Sequence, residues 1–157
     1  MSWSARLALD LGTHTGWAAE RDGQIESGVH VLDVKRGESP GMRYLRLDAW
    51  LTELTGLLGG VRLVAYEQAH HRGGAATEVG VGLMTRVQAW CALHGVEHVG
   101  VHTATIKKAM TGKGNANKAA MQAAARLRWP QVRNDNEADA LALLTYVQSQ
   151  GWGAGPC

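Results

Sequence analysis

Three acidic residues stand where acids are costly. Asp10 closes the apolar run Leu7-Ala8-Leu9 and is followed by Gly12, Thr13, Thr15 and Gly16. Glu67 closes the run Leu63-Val64-Ala65-Tyr66, and Asp139 lies within Ala138-Asp139-Ala140-Leu141. A carboxylate at the end of a buried segment is unfavourable unless a positive charge meets it. Two unit charges about 4 Å apart repel by roughly 4 kcal/mol at an effective dielectric of 20, so a convergent cluster is stable only with cations in it. An all-oxygen donor set suits Mg²⁺ or Mn²⁺. A pair of such ions roughly 3.5–4 Å apart activates water and stabilises the leaving oxygen of a phosphodiester. Asp135 and Asn136 precede Asp139 by about one helical turn and share its side, so each is a candidate fourth ligand. Only Asp135 brings a full charge toward neutralising a divalent pair, and it is expected to matter more than Asn136.

Each acid also has a plainer reading. Asp10 could cap its own turn. Glu67 could pair with an arginine. Asn134 or Asp135 is a natural N-cap, and Asn134 with Glu137 is spaced like a capping box. The cap reading is adopted for Glu137. For Asp10, Glu67 and Asp139 the joint placement favours metal. His70-His71-Arg72 could suggest zinc, but no cysteine or further histidine has suitable spacing. DNA contact or plain loop surface is expected there, and surface for His14.

The elements that must position these acids follow from periodicity. Arg6–Leu11 reads as an interior strand, with Thr13–Gly16 as a turn. Gly16–Arg21 and Ile25–Asp33 read as two more strands, joined at Asp22-Gly23. Leu47, Trp50, Leu51, Leu54 and Leu58 recur at helical steps, then Arg62–Glu67 is a fourth strand. Leu83, Met84, Val87, Trp90, Cys91 and His94 mark a second helix, apolar around much of its circumference, and Val96–Val101 a fifth strand. Helical pieces at Thr103–Met110 and Lys118–Leu127 flank a glycine-bearing loop, and Asn134–Gln150 is the final helix. This order predicts an α/β fold, a five-stranded mixed sheet flanked by helices.

The chain of 157 residues is expected to be one domain over 1–157, with 151–157 a loose tail. The apolar fraction of 45% fits a globular protein without a membrane-length run. No signal peptide is evident, and Cys91 and Cys157 do not suggest a disulfide, so a cytoplasmic setting is expected. The net charge of +2 is small, but no carboxylate lies between Glu97 and Asp135. That stretch carries Lys107, Lys108, Lys113, Lys118, Arg126, Arg128 and Arg133. A one-signed block on a folded surface is the footprint expected of nucleic acid. The turn after Asp10 also resembles the phosphate-gripping hairpin of actin-like kinases. Those need two such domains, so no nucleotide cofactor is expected.

Four motifs occur in order: D-x-G-x-x-T-G-W (Asp10 to Trp17), Y-E-Q (Tyr66 to Gln68), T-x-x-I-K-K-A-x-T-G-x-G-x-A-x-K (Thr103 to Lys118) and E-A-D-A-L-A-L-L (Glu137 to Leu144). Together they resemble the RuvC family of Holliday junction resolvases, most of all its short phage-encoded members. The resemblance implies an RNase H-like fold, a homodimer, and Mg²⁺-dependent paired symmetric nicking of four-way DNA junctions. It assigns metal ligation to Asp10, Glu67 and Asp139, and gives Lys107 and Lys118 roles at the DNA backbone or scissile phosphate. The chain departs from the family in a shorter first turn. It also has Asn136 where the family carries an Asp or His ligand, and His70 and His71 where bacterial members project an aromatic. A broader branched-DNA nuclease and a non-catalytic junction binder are therefore the alternatives.

Overall fold

In the computed structural model, which describes residues 4–69 and 74–155, the first half of the chain is a meander. Strands β1 (Ala5–Asp10), β2 (His14–Arg21) and β3 (Gln24–Val31) pair antiparallel. Asp22 and Gly23 both have positive φ (53° and 79°), the conformation a two-residue hairpin turn demands. Helix α1 (Met42–Leu57) then crosses to β4 (Val61–Glu67), and α2 (Ala75–His94) crosses to β5 (Glu97–Val101). Both crossovers leave parallel pairs, giving one five-stranded sheet in the order β3-β2-β1-β4-β5. Helices α3 (Thr103–Thr111), α4 (Lys118–Arg128) and α5 (Asp135–Gln150) complete the fold. None of the described helices is long and apolar enough to cross a membrane.

Strand alternation divides the core. Leu7 and Leu9 of β1 and Val64 and Tyr66 of β4 face α1 and α2. Ala8 of β1, Ala18 of β2, and Leu63 and Ala65 of β4 face the opposite layer, built on α5. Asp10 and Glu67 each lie two residues beyond a member of this second set. The same alternation therefore turns both toward α5. Small side chains on both surfaces let α5 lie close to the sheet.

The boundaries differ from the sequence reading in ways with physical causes. Strand β2 starts at His14, not Gly16. Thr15 is fully buried, and its hydroxyl donates to the Gly12 carbonyl at 2.8 Å, which confines the turn to the residues before it. Helix α2 starts at Ala75, well before Leu83. Gly80 and Gly82 hide its periodicity, and Gly82 is where α1 comes close: a Cβ there would lie 2.5 Å from Tyr44 Oη. The apolar circumference expected of α2 is largely taken up by the chain's own core, because Leu83, Met84, Val87, Trp90 and Cys91 are all buried. The segment expected to be a loose tail packs over its described part. Arg6 Nη1 donates to the Trp152 carbonyl at 3.2 Å, and the Trp152 ring stands edge-on to Tyr146 at 5.5 Å.

Candidate active site

Asp10 and Glu67 end adjacent parallel strands, with Leu9 in register with Tyr66. Helix α5 brings Asp139 over them. Its approach depends on Gly16, which pairs with Asp10 across β1 and β2 and lies against the Asn136 carbonyl and the Glu137 amide. The helix start is fixed twice. The Asn134 side chain accepts from the amides of Asn136 (2.8 Å) and Glu137 (3.2 Å). Glu137 does not close a capping box; its carboxylate accepts from Ser27 Oγ of β3 at 2.6 Å, tying α5 to the far strand.

The three carboxylates feel one another. Burial, then the charges of Asp139 and Glu67, push the Asp10 carboxyl up to about 8. Burial, then Glu67 and Asp135, raise Asp139 to about 6, against the opposing pull of Lys118 and Lys107. Neither Asp10 nor Asp139 has a side-chain hydrogen bond among the described residues. As they stand, no three His, Cys, Asp or Glu side chains among the described residues form a closed ligand group. Carboxylate oxygens from three elements, half-buried and without a counter-charge in contact, fit a hard divalent cation.

This raised titration sets a pH dependence that can be measured without DNA. In the unfolded chain Asp10 ionises near 3.8, and in the folded chain near 8. Across that window the folded state binds more protons, so stability falls as pH rises. Asp139 adds to the loss between 3.8 and about 6. The metal-free chain should melt at progressively lower temperature from pH 5 to pH 8.5, and saturating Mg²⁺ should restore most at the alkaline end. A melting temperature independent of pH, with no gain from the cation, would contradict the coupling.

The remaining candidates divide. Lys107 and Lys118 line one hollow of about 210 Å³ together with Glu67 and Asp139. Lys108 and Lys113 are exposed and do not line that hollow. Asp135 sits at the rim, accepting from Gln122 Nε2 at 3.0 Å with Lys118 Nζ at 3.7 Å. It acts on Asp139 but is not among the charges that shift Asp10. Asn136 is half-buried beside Gly16. His70, His71 and Arg72 lie outside the described residues.

Thr103 was not singled out by the sequence. Its hydroxyl donates to Glu67 Oε1, and it lines the same hollow as Lys107, one helical turn further along α3. Its sequence signals were its place as the first residue of a helix directly after a strand and as the leading residue of the third motif. On the other side of the acids, Gln68, Thr77 and Gly80 border a second opening shared with Asp10 and Glu67.

No protein-family model matches the chain, and no curated protein matches its sequence. Solved structures do. The chain is similar to RuvC of Thermus thermophilus, at 23% identity and a TM-score of 0.70, covering 94% of this chain and 96% of that one. It is likewise similar to T. thermophilus RuvC in complex with a Holliday junction substrate, at 20% identity and a TM-score of 0.72, with the same coverage. The architecture is therefore the RNase H-like α/β fold, in the form that RuvC has.

Proposed function

We propose that this chain is a metal-dependent endonuclease that resolves four-way DNA junctions by paired symmetric nicks. The observation that carries the reading is the electrostatic coupling of Asp10, Glu67 and Asp139 on one face of the sheet, with Lys107 and Lys118 lining the hollow that Glu67 and Asp139 share. The likeness to a RuvC bound to a Holliday junction supports it.

Asp10, Glu67 and Asp139 would hold the divalent ions, Mg²⁺ with Mn²⁺ as a substitute, and Asp135 or Asn136 would complete the set. When bound, such ions supply an activated water and charge stabilisation at the leaving oxygen. The chain's own groups do the rest. Thr103 holds one oxygen of Glu67 and so fixes the direction of that carboxylate. Lys107 and Lys118 present ammonium groups to the phosphate and offset the acid cluster, as their lowering effect on Asp139 illustrates. Two like nicks in a four-way junction call for two such sites related by a two-fold axis, hence a homodimer.

The deciding experiment offers a synthetic four-way junction with and without Mg²⁺. Paired nicks at symmetric positions in two strands of like polarity are expected. Equal cutting of flaps and forks would point to a broader branched-DNA nuclease, and binding without cutting to a non-catalytic junction binder. For the fourth ligand, Asp135→Asn should raise the metal concentration needed for half-maximal nicking by about tenfold, the scale on which supporting groups act at metal sites. Asn136→Ala should be milder. The reverse ranking would make the amide the ligand and Asp135 a partner for Lys118 only.

A further inference from the structure

Helix α4 lies on the protein surface with no fully buried residue. Only Met121 and Ala124 lean on the core layer beneath. Its alanine-rich sequence leaves space between it and the start of α5, and that space is a cleft of about 140 Å³. The floor is apolar, with Met121, Ala125, Val132 and Ala138. The rim is cationic, with Lys118, Arg126 and Arg133. Asp135, the acid at the rim, is already engaged by Lys118 and Gln122. Arg126 and Arg133 have no ion-pair or hydrogen-bond partner among the described residues. Lys118, Met121 and Asp139 line both this cleft and the hollow over Glu67, so the two adjoin.

We infer that this cleft seats the nucleotide adjoining the scissile phosphodiester, with Arg126 and Arg133 taking its phosphate and the apolar floor its sugar. The inference rests on the nuclease reading and adds to it a binding subsite. Two guanidinium groups without acids to satisfy them are suited to a phosphate, which they can grip through paired N–H donors. A strand leaving the acid cluster on this side meets them next, because Lys118, Met121 and Asp139 border both hollows. An apolar floor under a cationic rim matches a nucleotide better than a free anion, which would leave the floor uncovered.

The test couples the protein to single phosphates. Four-way junctions carrying one uncharged methylphosphonate, stepped along the strand on either side of the nick, are bound in metal-free buffer by the wild-type chain and by the double variant Arg126→Ala/Arg133→Ala. The double variant should bind the unmodified junction about tenfold more weakly. Its log–log salt slope should be flatter by about 0.9 for each phosphate no longer neutralised on duplex DNA, or about 0.7 on a single strand. One position next to the nick should cost the wild type affinity and cost the double variant nothing further. Penalties that simply add at every position would overturn the subsite while leaving the nuclease reading intact. A wild-type chain that neither binds nor nicks junctions would remove both.

Discussion

Asp10→Asn is expected to lower junction nicking by more than about a thousandfold, since even the supporting groups around a metal ligand commonly carry 10- to 100-fold effects. The same substitution should raise the melting temperature of the metal-free chain at pH 8.5. Both effects have one cause. The Asp10 carboxyl is held up to about 8 by burial and by the charges of Asp139 and Glu67, so ionising it in the folded chain works against folding. An amide of the same shape has no charge to bury and nothing to repel its neighbours. Glu67→Gln and Asp139→Asn should likewise abolish nicking while leaving junction binding largely intact. For Glu67→Gln the amide can still meet Thr103, so a loss of activity there reads the missing charge and not a changed rotamer. Melting curves in chelator at pH 5.5 and 8.5, beside nicking assays in Mg²⁺, check the pair of outcomes. Near-wild-type nicking by any variant would exclude that residue from the site. A destabilised Asp10→Asn chain at alkaline pH would mean the acid makes a favourable contact instead.

The acids were legible in the sequence because a carboxylate ending an apolar run is costly wherever the strand lies. Alternation alone also carries Asp10 and Glu67 to one face, since each stands two residues beyond a buried small side chain. What the sequence did not disclose are contacts made across the fold. The bond from Thr103 to Glu67 joins residues on a helix and a strand that are far apart in sequence. The onset of α2 was hidden because glycines at 80 and 82 interrupt the apolar period, and the second of them admits Tyr44. Glu137 looked like the second half of a capping box, yet its carboxylate is drawn to Ser27 of β3, a partner that exists only once the sheet has formed. The basic block was visible as a run of like charges. That Lys107 and Lys118 border the acids while Arg126 and Arg133 border the adjoining cleft depends on how α4 lies against α5.

Among the described glycines, Gly16→Ala should be the most damaging addition of a methyl group. Glycine in a strand interior ordinarily costs about 0.5–1 kcal/mol relative to alanine, so propensity alone predicts a gain. Geometry predicts the reverse. Gly16 lies on the face of β2 that meets α5, and a Cβ there would fall far inside van der Waals contact with the Asn136 carbonyl and 2.9 Å from the Glu137 amide nitrogen. Both obstacles are backbone, so no side-chain rotation relieves them. The helix start would have to move, but the Asn134 cap and the Ser27–Glu137 bond hold it in place. Overpacking of this kind costs about 3 kcal/mol or more, which outweighs the propensity gain. For a chain of this size that is a fall of roughly 10 °C in melting temperature. Any relief by displacement of α5 carries Asp139 away from Asp10 and Glu67, so nicking should remain impaired even well below the new melting temperature, and more metal should be required. Gly12→Ala provides the contrast: a Cβ there meets nothing nearer than 3.8 Å, and stability should change little. Thermal melts of both variants, with metal titrations of nicking at about 20 °C, measure the difference. A Gly16→Ala chain that melts with the wild type and nicks normally would show that α5 does not need this close approach to deliver Asp139.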